Sequence, residues 1–362
     1  MAANPPLPPV KGRGAPLNRE SARFNLPVRE ADGEWLDQRS AIDDDPPPLR
    51  TTVTIEHPRS IISRNTSPDL PFDQSINAYR GCEHGCIYCY ARPTHAWLDL
   101  SPGLDFESRL FAKPDAAKLL RATLRKPGYV PQVIALGTNT DPYQPIEGEY
   151  RITRSILEVC LEARNPVSIT TKSDRVLGDL GLLTEMARHD LVAIALSVTS
   201  LDGAMARTLE PRAATPRKRL AAIRALAEAG VPVHINVSPV IPAITDHEIE
   251  ALVAAGAEAG ALSASYIPVR LPHEVAPLFR AWLDAHFPDR AAKVMAIIQQ
   301  MRGGRDNDPD FGSRMRGIGP WADLIRTRFR LAVKRAGLNQ HKWLLQTANF
   351  RPPADGMQGE LF

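Results

Sequence analysis

Three cysteines crowd one short stretch, Gly81-Cys82-Glu83-His84-Gly85-Cys86-Ile87-Tyr88-Cys89-Tyr90, in a C-x3-C-x2-C spacing. Three thiolates on one loop can ligate three corners of a four-iron cluster and leave the fourth iron without a protein ligand. An open coordination position is what a catalytic metal centre needs and a closed structural site lacks. The same thiols could instead join His84 or His95 around zinc, although structural zinc sites usually pair C-x2-C with a distant second pair. The fourth cysteine reads differently. Cys160 lies in ITRSILEVCLEAR among Ile156, Leu157 and Leu161 and is expected in the core.

Polar groups also end a series of apolar runs. Thr138, Asn139, Thr140 and Asp141 follow QVIALG, Lys172 to Asp174 follow VSITT, and Ser197 to Ser200 close VAIALSV. Asn236 and Ser238 stand on the next run and Arg270 follows the last. Turn chemistry alone accounts for many Ser, Thr, Asn and Asp residues at such places. A lysine directly after VSITT is not a turn former. Its cation suits a ligand carboxylate through a charge-assisted hydrogen bond.

The elements that position these groups are six strand-like runs: 74–81, 132–137, 167–171, 192–198, 232–238 and 262–269. They are rich in β-branched and apolar residues, as strands buried on both faces should be. Helix signals fill the gaps. Thr215-Pro216 is an N-cap with Pro at the first helical position, Leu220, Ile223, Leu226 and Ala227 make an inward stripe, and Gly230 ends the helix. Thr245 with Glu248 reads as a capping box for a helix that closes at Gly260. Alternating strands and helices predict right-handed βα units on a parallel sheet. The fold class is therefore α/β, a partial (β/α)6 barrel with a disordered N-terminal arm and a C-terminal helical extension. In such barrels chemistry gathers at the C-terminal ends of the strands.

The expected divisions are a Pro-rich extended arm over 1–65, the barrel over 66–275, a basic helical extension over 276–350 and a flexible tail over 351–362. Residues 1–50 hold nine prolines, too little apolar surface to offset ordering. The basic piece Lys11-Gly12-Arg13-Gly14 reads as part of a solvated tail. Net charge is only +3, from 44 Lys and Arg against 41 Asp and Glu, but residues 301–351 carry eleven Lys and Arg against four Asp. Arg326, Arg328, Arg330, Lys334 and Arg335 are expected to form a stripe suited to a phosphate backbone. Glu210-Pro211-Arg212 reads as a solvated ion pair, or as an arginine reaching a ligand carboxylate or phosphate.

The C-x3-C-x2-C triplet with Tyr88 before its last Cys resembles the radical S-adenosylmethionine (SAM) superfamily. Within it, YRGCEHGCIYCYARPTH and TDPYQPIE resemble the branch containing spore photoproduct lyase, a resemblance covering about residues 60–275. It implies that Cys82, Cys86 and Cys89 hold a 4Fe–4S cluster whose unique iron chelates the methionine moiety of SAM. Reduction by an external donor of flavodoxin or ferredoxin type then yields a 5′-deoxyadenosyl radical that abstracts hydrogen from a substrate. It also implies that Tyr88 lies beside the adenine and that Thr140, Lys172 and Ser197 contact SAM. The lyase carries a hydrogen-donating Cys where this chain has Thr138, whose O–H bond is too strong for that step. Tyr88, Tyr90 or Tyr143 is the available radical relay. The resemblance and the basic segment together point to a nucleic acid, a DNA lesion or modified base. Radical SAM modification of RNA or protein is the alternative, and a metal-stapled nucleic-acid-binding protein is the non-enzymatic one.

Composition excludes other classes. A hydrophobic content of 43% and a charged content of 23% fit a globular chain. No apolar run is long enough to span a membrane, and prolines in MAANPPLPPV break any signal-peptide core. Four cysteines in 362 residues make no disulfide scaffold, and a cytoplasmic, reducing location is expected. The final Gln358-Gly359-Glu360-Leu361-Phe362 resembles the peptide with which bacterial replication and repair proteins dock on the sliding clamp, with Gly359 departing from the common Leu.

Overall fold

The computed structural model describes residues 10, 12–18, 21, 23–24, 49–340 and 344–354. Its strands are, in chain order, β1 (Thr52–Ile55), β2 (Ile62–Arg64), β3 (Gln74–Ile76), β4 (Tyr79–Arg80), β5 (Arg109–Ala112), β6 (Ile134–Leu136), β7 (Val167–Thr171), β8 (Val192–Ser197), β9 (Val233–Val240) and β10 (Ser263–Pro268). Seven of them form one sheet in the order β10-β9-β8-β7-β6-β3-β2. From β3 to β10 every neighbouring pair is parallel, and β2 adds an antiparallel edge. The six parallel strands are the six read from the sequence, so the fold is the expected α/β partial barrel.

The register places polar side chains at one level. Ser197 on β8 stands opposite Asn236 on β9, and Asn236 stands opposite Ser265 on β10. Asn236 Oδ1 accepts from the Ser238 and Ser265 hydroxyls, each at 3.0 Å. The alternate positions Ile194, Leu196, Ile235 and Val237 are buried on the other face of the sheet.

The run 74–81 does not form one strand. It breaks at Asn77, with β3 in the barrel sheet and β4 in a separate three-stranded sheet of order β1-β5-β4. The break has a local cause: Asn77 Oδ1 accepts the amides of Asn139 at 3.0 Å and Thr140 at 3.4 Å, drawing the loop after β6 against the chain. The small sheet brackets the cysteine loop.

The helix Pro216–Glu228 starts as expected. Thr215 Oγ1 accepts from Lys218 N at 3.4 Å, Ile223 and Leu226 are buried, and Gly230 turns the chain at a φ of 77°. The capping box at Thr245 does not form. Thr245 Oγ1 accepts from Ile241 N at 3.0 Å, while Glu248 accepts the Ser200 hydroxyl at 2.7 Å and the Leu201 amide at 2.6 Å. Glu248 thus orders the loop after β8 instead of its own helix.

The solvated-tail reading also fails at Arg13 and Gly14, which are buried, as is Ala15 after them. After the barrel come the helices Val275–His286, Pro288–Met301 and Gly319–Arg335. The last packs on β10, with the Tyr266 and Phe329 rings 4.6 Å apart. Its basic residues do not form one free stripe. Arg328 pairs with both oxygens of Glu250 at 2.8 and 2.6 Å and Arg326 pairs with Asp323, while Arg330 and Lys334 are exposed. Among the described residues no helix is long and apolar enough to cross a membrane. The expected clamp-docking peptide, 358–362, lies outside the described residues.

Candidate active site

The cysteine loop leaves β4 at Gly81 and is fixed by backbone bonds to two distant segments. Cys82 N donates to Phe106 O at 2.9 Å and Ile87 N to Leu209 O at 3.1 Å. Beneath it lies Arg92, whose fully buried guanidinium donates to the carbonyls of Cys86 at 2.9 Å, Gly85 at 3.2 Å, Gly103 at 2.9 Å and Pro102 at 3.1 Å. The same guanidinium pairs with buried Glu107. Glu107 also accepts the amides of Gly14 at 3.0 Å and Ala15 at 2.8 Å, and Arg13 donates to the Glu107 carbonyl at 2.6 Å. Contact here is close enough to demand glycine: a Cβ on Gly14 would sit 1.6 Å from the Gly85 carbonyl oxygen. The N-terminal segment is therefore a strap under the loop.

The motif TDPYQPIE holds the loop from the other side. Gln144 Oε1 accepts from Glu83 N at 3.0 Å and its amide donates to Gly81 O at 3.1 Å. Asp141 accepts the Thr171 hydroxyl at 2.6 Å and the Lys172 amide at 2.7 Å and lies 3.3 Å from His84 Nδ1. One carboxylate so joins the cysteine loop to the loops after β6 and β7. Burial works to raise the Asp141 pKa, but His84, Thr171 and the Lys172 amide prevail and hold it at about 2. Arg92, Glu107 and Gln144 were not singled out from the sequence. The signal available for Gln144 was its place in TDPYQPIE.

A second buried carboxylate organises the opposite wall. Glu210 accepts from the Tyr88 hydroxyl, from Thr199 Oγ1 at 2.7 Å and from Arg219, whose other η nitrogen donates to Ser197 O at 2.9 Å. The expected Glu210–Arg212 pair is replaced, since Arg212 pairs with Glu83 at 2.9 Å. With its hydroxyl anchored, Tyr88 presents its ring 5.8 Å from Lys172 Nζ. The structure thus brings Tyr88 and Lys172 together directly and ties Ser197 to them through Arg219 and Glu210. Ser197 Oγ accepts from Asn236 Nδ2 at 3.5 Å, a long contact. Thr140 is buried on the other flank and donates to Tyr79 O at 3.3 Å. Of the residues weighed as radical relays, Tyr143 is buried with its hydroxyl on Asp179 at 3.0 Å, and Tyr90 donates to the Thr138 carbonyl. Thr138 Oγ1 accepts from Asn77 Nδ2 at 3.3 Å.

All four cysteines are free thiols, and Cys160 is in the core as expected. Burial raises the pKa of Cys82, Cys86 and Cys89. Neighbouring acids and thiols push Cys82 and Cys86 further, while Lys172 opposes the rise at Cys86 and Cys89. The thiols feel one another, yet among the described residues no three His, Cys, Asp or Glu side chains could hold a single metal ion. His84 Nδ1 lies 3.3 Å from Asp141, and His95 Nε2 bonds the Arg109 carbonyl at 2.9 Å. Cys82 and Cys86 are buried and Cys89 is partly buried, three soft donors on one loop that fit an iron–sulfur group with one thiolate to each iron.

The Radical SAM superfamily model matches residues 76–255, and the chain belongs to that superfamily; it is a radical SAM enzyme. An uncharacterised protein of Mycobacterium tuberculosis (strain ATCC 25618 / H37Rv) is 38% identical over 233 residues, 64% of this chain and 68% of that one. An uncharacterised protein of Methanocaldococcus jannaschii is 31% identical over 173 residues, covering 48% of this chain and 62% of its own. Among solved structures, a substituted spore photoproduct lyase matches with a TM-score of 0.54 at 16% identity, over 85% of each chain. Another, with bound AdoMet and dinucleoside spore photoproduct, gives 0.53 at 17% identity over the same shares. At this identity the likeness is one of fold.

Proposed function

We propose that Cys82, Cys86 and Cys89 hold a 4Fe–4S cluster, that Tyr88, Thr140, Lys172 and Ser197 surround SAM, and that the substrate is nucleic acid, a lesion or modified base of DNA. When bound, the cluster and SAM supply one-electron cleavage to a 5′-deoxyadenosyl radical. The observation that carries this reading is the placing of Lys172 over Tyr88 beside a loop of three free thiols, two of them buried. The Lys172 ammonium neutralises the SAM carboxylate by a charge-assisted hydrogen bond. Glu210 keeps Tyr88 from swinging into the site, and Asp141 fixes the backbone that carries Lys172. Burial of Ser197 and Thr140 keeps water away from the groups they face.

DNA is favoured by the fold shared with spore photoproduct lyase, one structure of which is complexed with dinucleoside spore photoproduct, and by exposed Arg330 and Lys334. The same reading includes a flavodoxin- or ferredoxin-type electron donor, tail docking on a sliding clamp and a reducing cytoplasm. The test is release of 5′-deoxyadenosine by reduced enzyme and SAM in the presence of DNA, RNA or peptides. Stimulation by damaged or modified DNA supports the reading. Stimulation by peptides alone refutes it.

A further inference from the structure

At the C-terminal end of β10 three guanidinium groups lie close enough for their charges to oppose one another: Arg270, Arg302 and Arg314. Two are satisfied. Arg314 pairs with both oxygens of Asp69 at 2.5 and 2.7 Å. Arg302 donates to the carbonyls of Arg314 at 2.7 Å, Val269 at 2.8 Å and Pro268 at 3.2 Å. Arg270 is not. Its Nε is buried and meets no acceptor, and an η nitrogen donates to the Met315 thioether at 3.4 Å. A thioether is a weak acceptor, and a partly buried guanidinium without an anion is costly to keep.

The surroundings indicate which anion. Tyr90 lies within electrostatic reach of Arg270 and is 51% exposed, its hydroxyl fixed on the Thr138 carbonyl. Phe311, 60% exposed, packs its ring 4.6 Å from the Arg314 guanidinium. Gly312 and Arg314 both bond Asp69, so this loop is docked beside the strand end and its aromatic ring is held. Cations set among fixed, exposed aromatic faces are the pattern that tracks a single-stranded backbone while its bases stack. The cofactor carboxylate has its own cation in Lys172, on the wall of Tyr88.

We infer that Arg270 is a phosphate-binding residue of the substrate site, seating one phosphodiester of a nucleic-acid strand whose bases lie against Tyr90 and Phe311. The inference rests on the nucleic-acid reading above and names the group that the strand offers. Arg270 is a binding residue and takes no part in bond breaking.

The test is fluorescence anisotropy of a labelled single-stranded DNA oligonucleotide with anaerobically reconstituted enzyme, Arg270→Gln and Arg270→Lys. SAM affinity and cluster absorbance are measured on the same samples. Arg270→Gln should weaken oligonucleotide binding about tenfold and reduce the salt slope by about one, the signature of one lost phosphate contact. Arg270→Lys should recover part of the affinity, and SAM affinity should hold within about twofold. If wild type binds the oligonucleotide and Arg270→Gln binds equally, the inference falls while the nucleic-acid reading stands. If wild type binds neither single-stranded nor duplex DNA or RNA, the nucleic-acid reading itself falls. Loss of SAM affinity in both variants with oligonucleotide binding kept would assign Arg270 to the cofactor and overturn the inference.

Discussion

At the Glu210 carboxylate three side chains meet, those of Tyr88, Thr199 and Arg219. Burial alone would raise its pKa, but Arg219, Lys172 and Tyr88 outweigh that and hold it at about 2. A carboxyl depressed on folding contributes stability that is fully present above its unfolded value and is lost as pH falls through its folded value. Asp141 adds to the same window. Denaturant unfolding should give a stability that is flat above about pH 5 and drops by a few kcal/mol toward about pH 2. Glu210→Gln should cost about 3–5 kcal/mol at neutral pH by leaving Arg219 buried and unpaired, and should flatten the acid limb. A profile as steep as wild type would place the linkage elsewhere. Lys172→Met should weaken SAM binding by roughly tenfold or more, for one charged hydrogen bond, with cluster absorbance kept. Unchanged affinity, read by equilibrium dialysis, would remove Lys172 from the site. Lys172 stands out in the sequence because no turn preference explains a lysine after VSITT. Glu210 was misassigned because adjacent sequence offered Arg212, whereas its partner Arg219 comes round one helix start later.

Among the elements, β7 was legible residue for residue, since Val167–Thr171 is a β-branched run with alternating burial inside the sheet. β1, β2 and β5 were not. They are three or four residues long, largely exposed on β1 and β2, and held by pairings such as Thr52 with Arg109 that no local pattern announces. The strap fails to show in sequence for the same reason. Lys11 to Gly14 reads as solvated chain, yet the Gly14 amide finds a carboxylate 93 positions away. Gly14→Ala should expel the strap, because its Cβ overlaps the Gly85 carbonyl backbone, and should destabilise the fold by about 2 kcal/mol or more. Limited proteolysis around residues 10–18 reads the release directly. A protection pattern equal to wild type would mean that the strap does not bind as tightly as its contacts imply.

Over the whole molecule, three loops from separate βα units and a strap from the N-terminus converge on one cysteine loop, and two carboxylates, Asp141 and Glu210, tie its walls. The spacing of the cysteines and the order of the six parallel strands carried this arrangement in the sequence. The pinning by Arg92, Glu107 and Gln144 did not, because each acts on backbone groups that only the folded chain brings near. Anaerobic reconstitution with iron and sulfide, followed by dithionite and SAM, measures whether these parts work as one centre. Wild type should become brown and release 5′-deoxyadenosine, and Cys86→Ala should lose both the visible absorbance and the cleavage. A colourless wild-type protein that carries stoichiometric zinc and releases no 5′-deoxyadenosine would contradict a radical SAM site built on Cys82, Cys86 and Cys89.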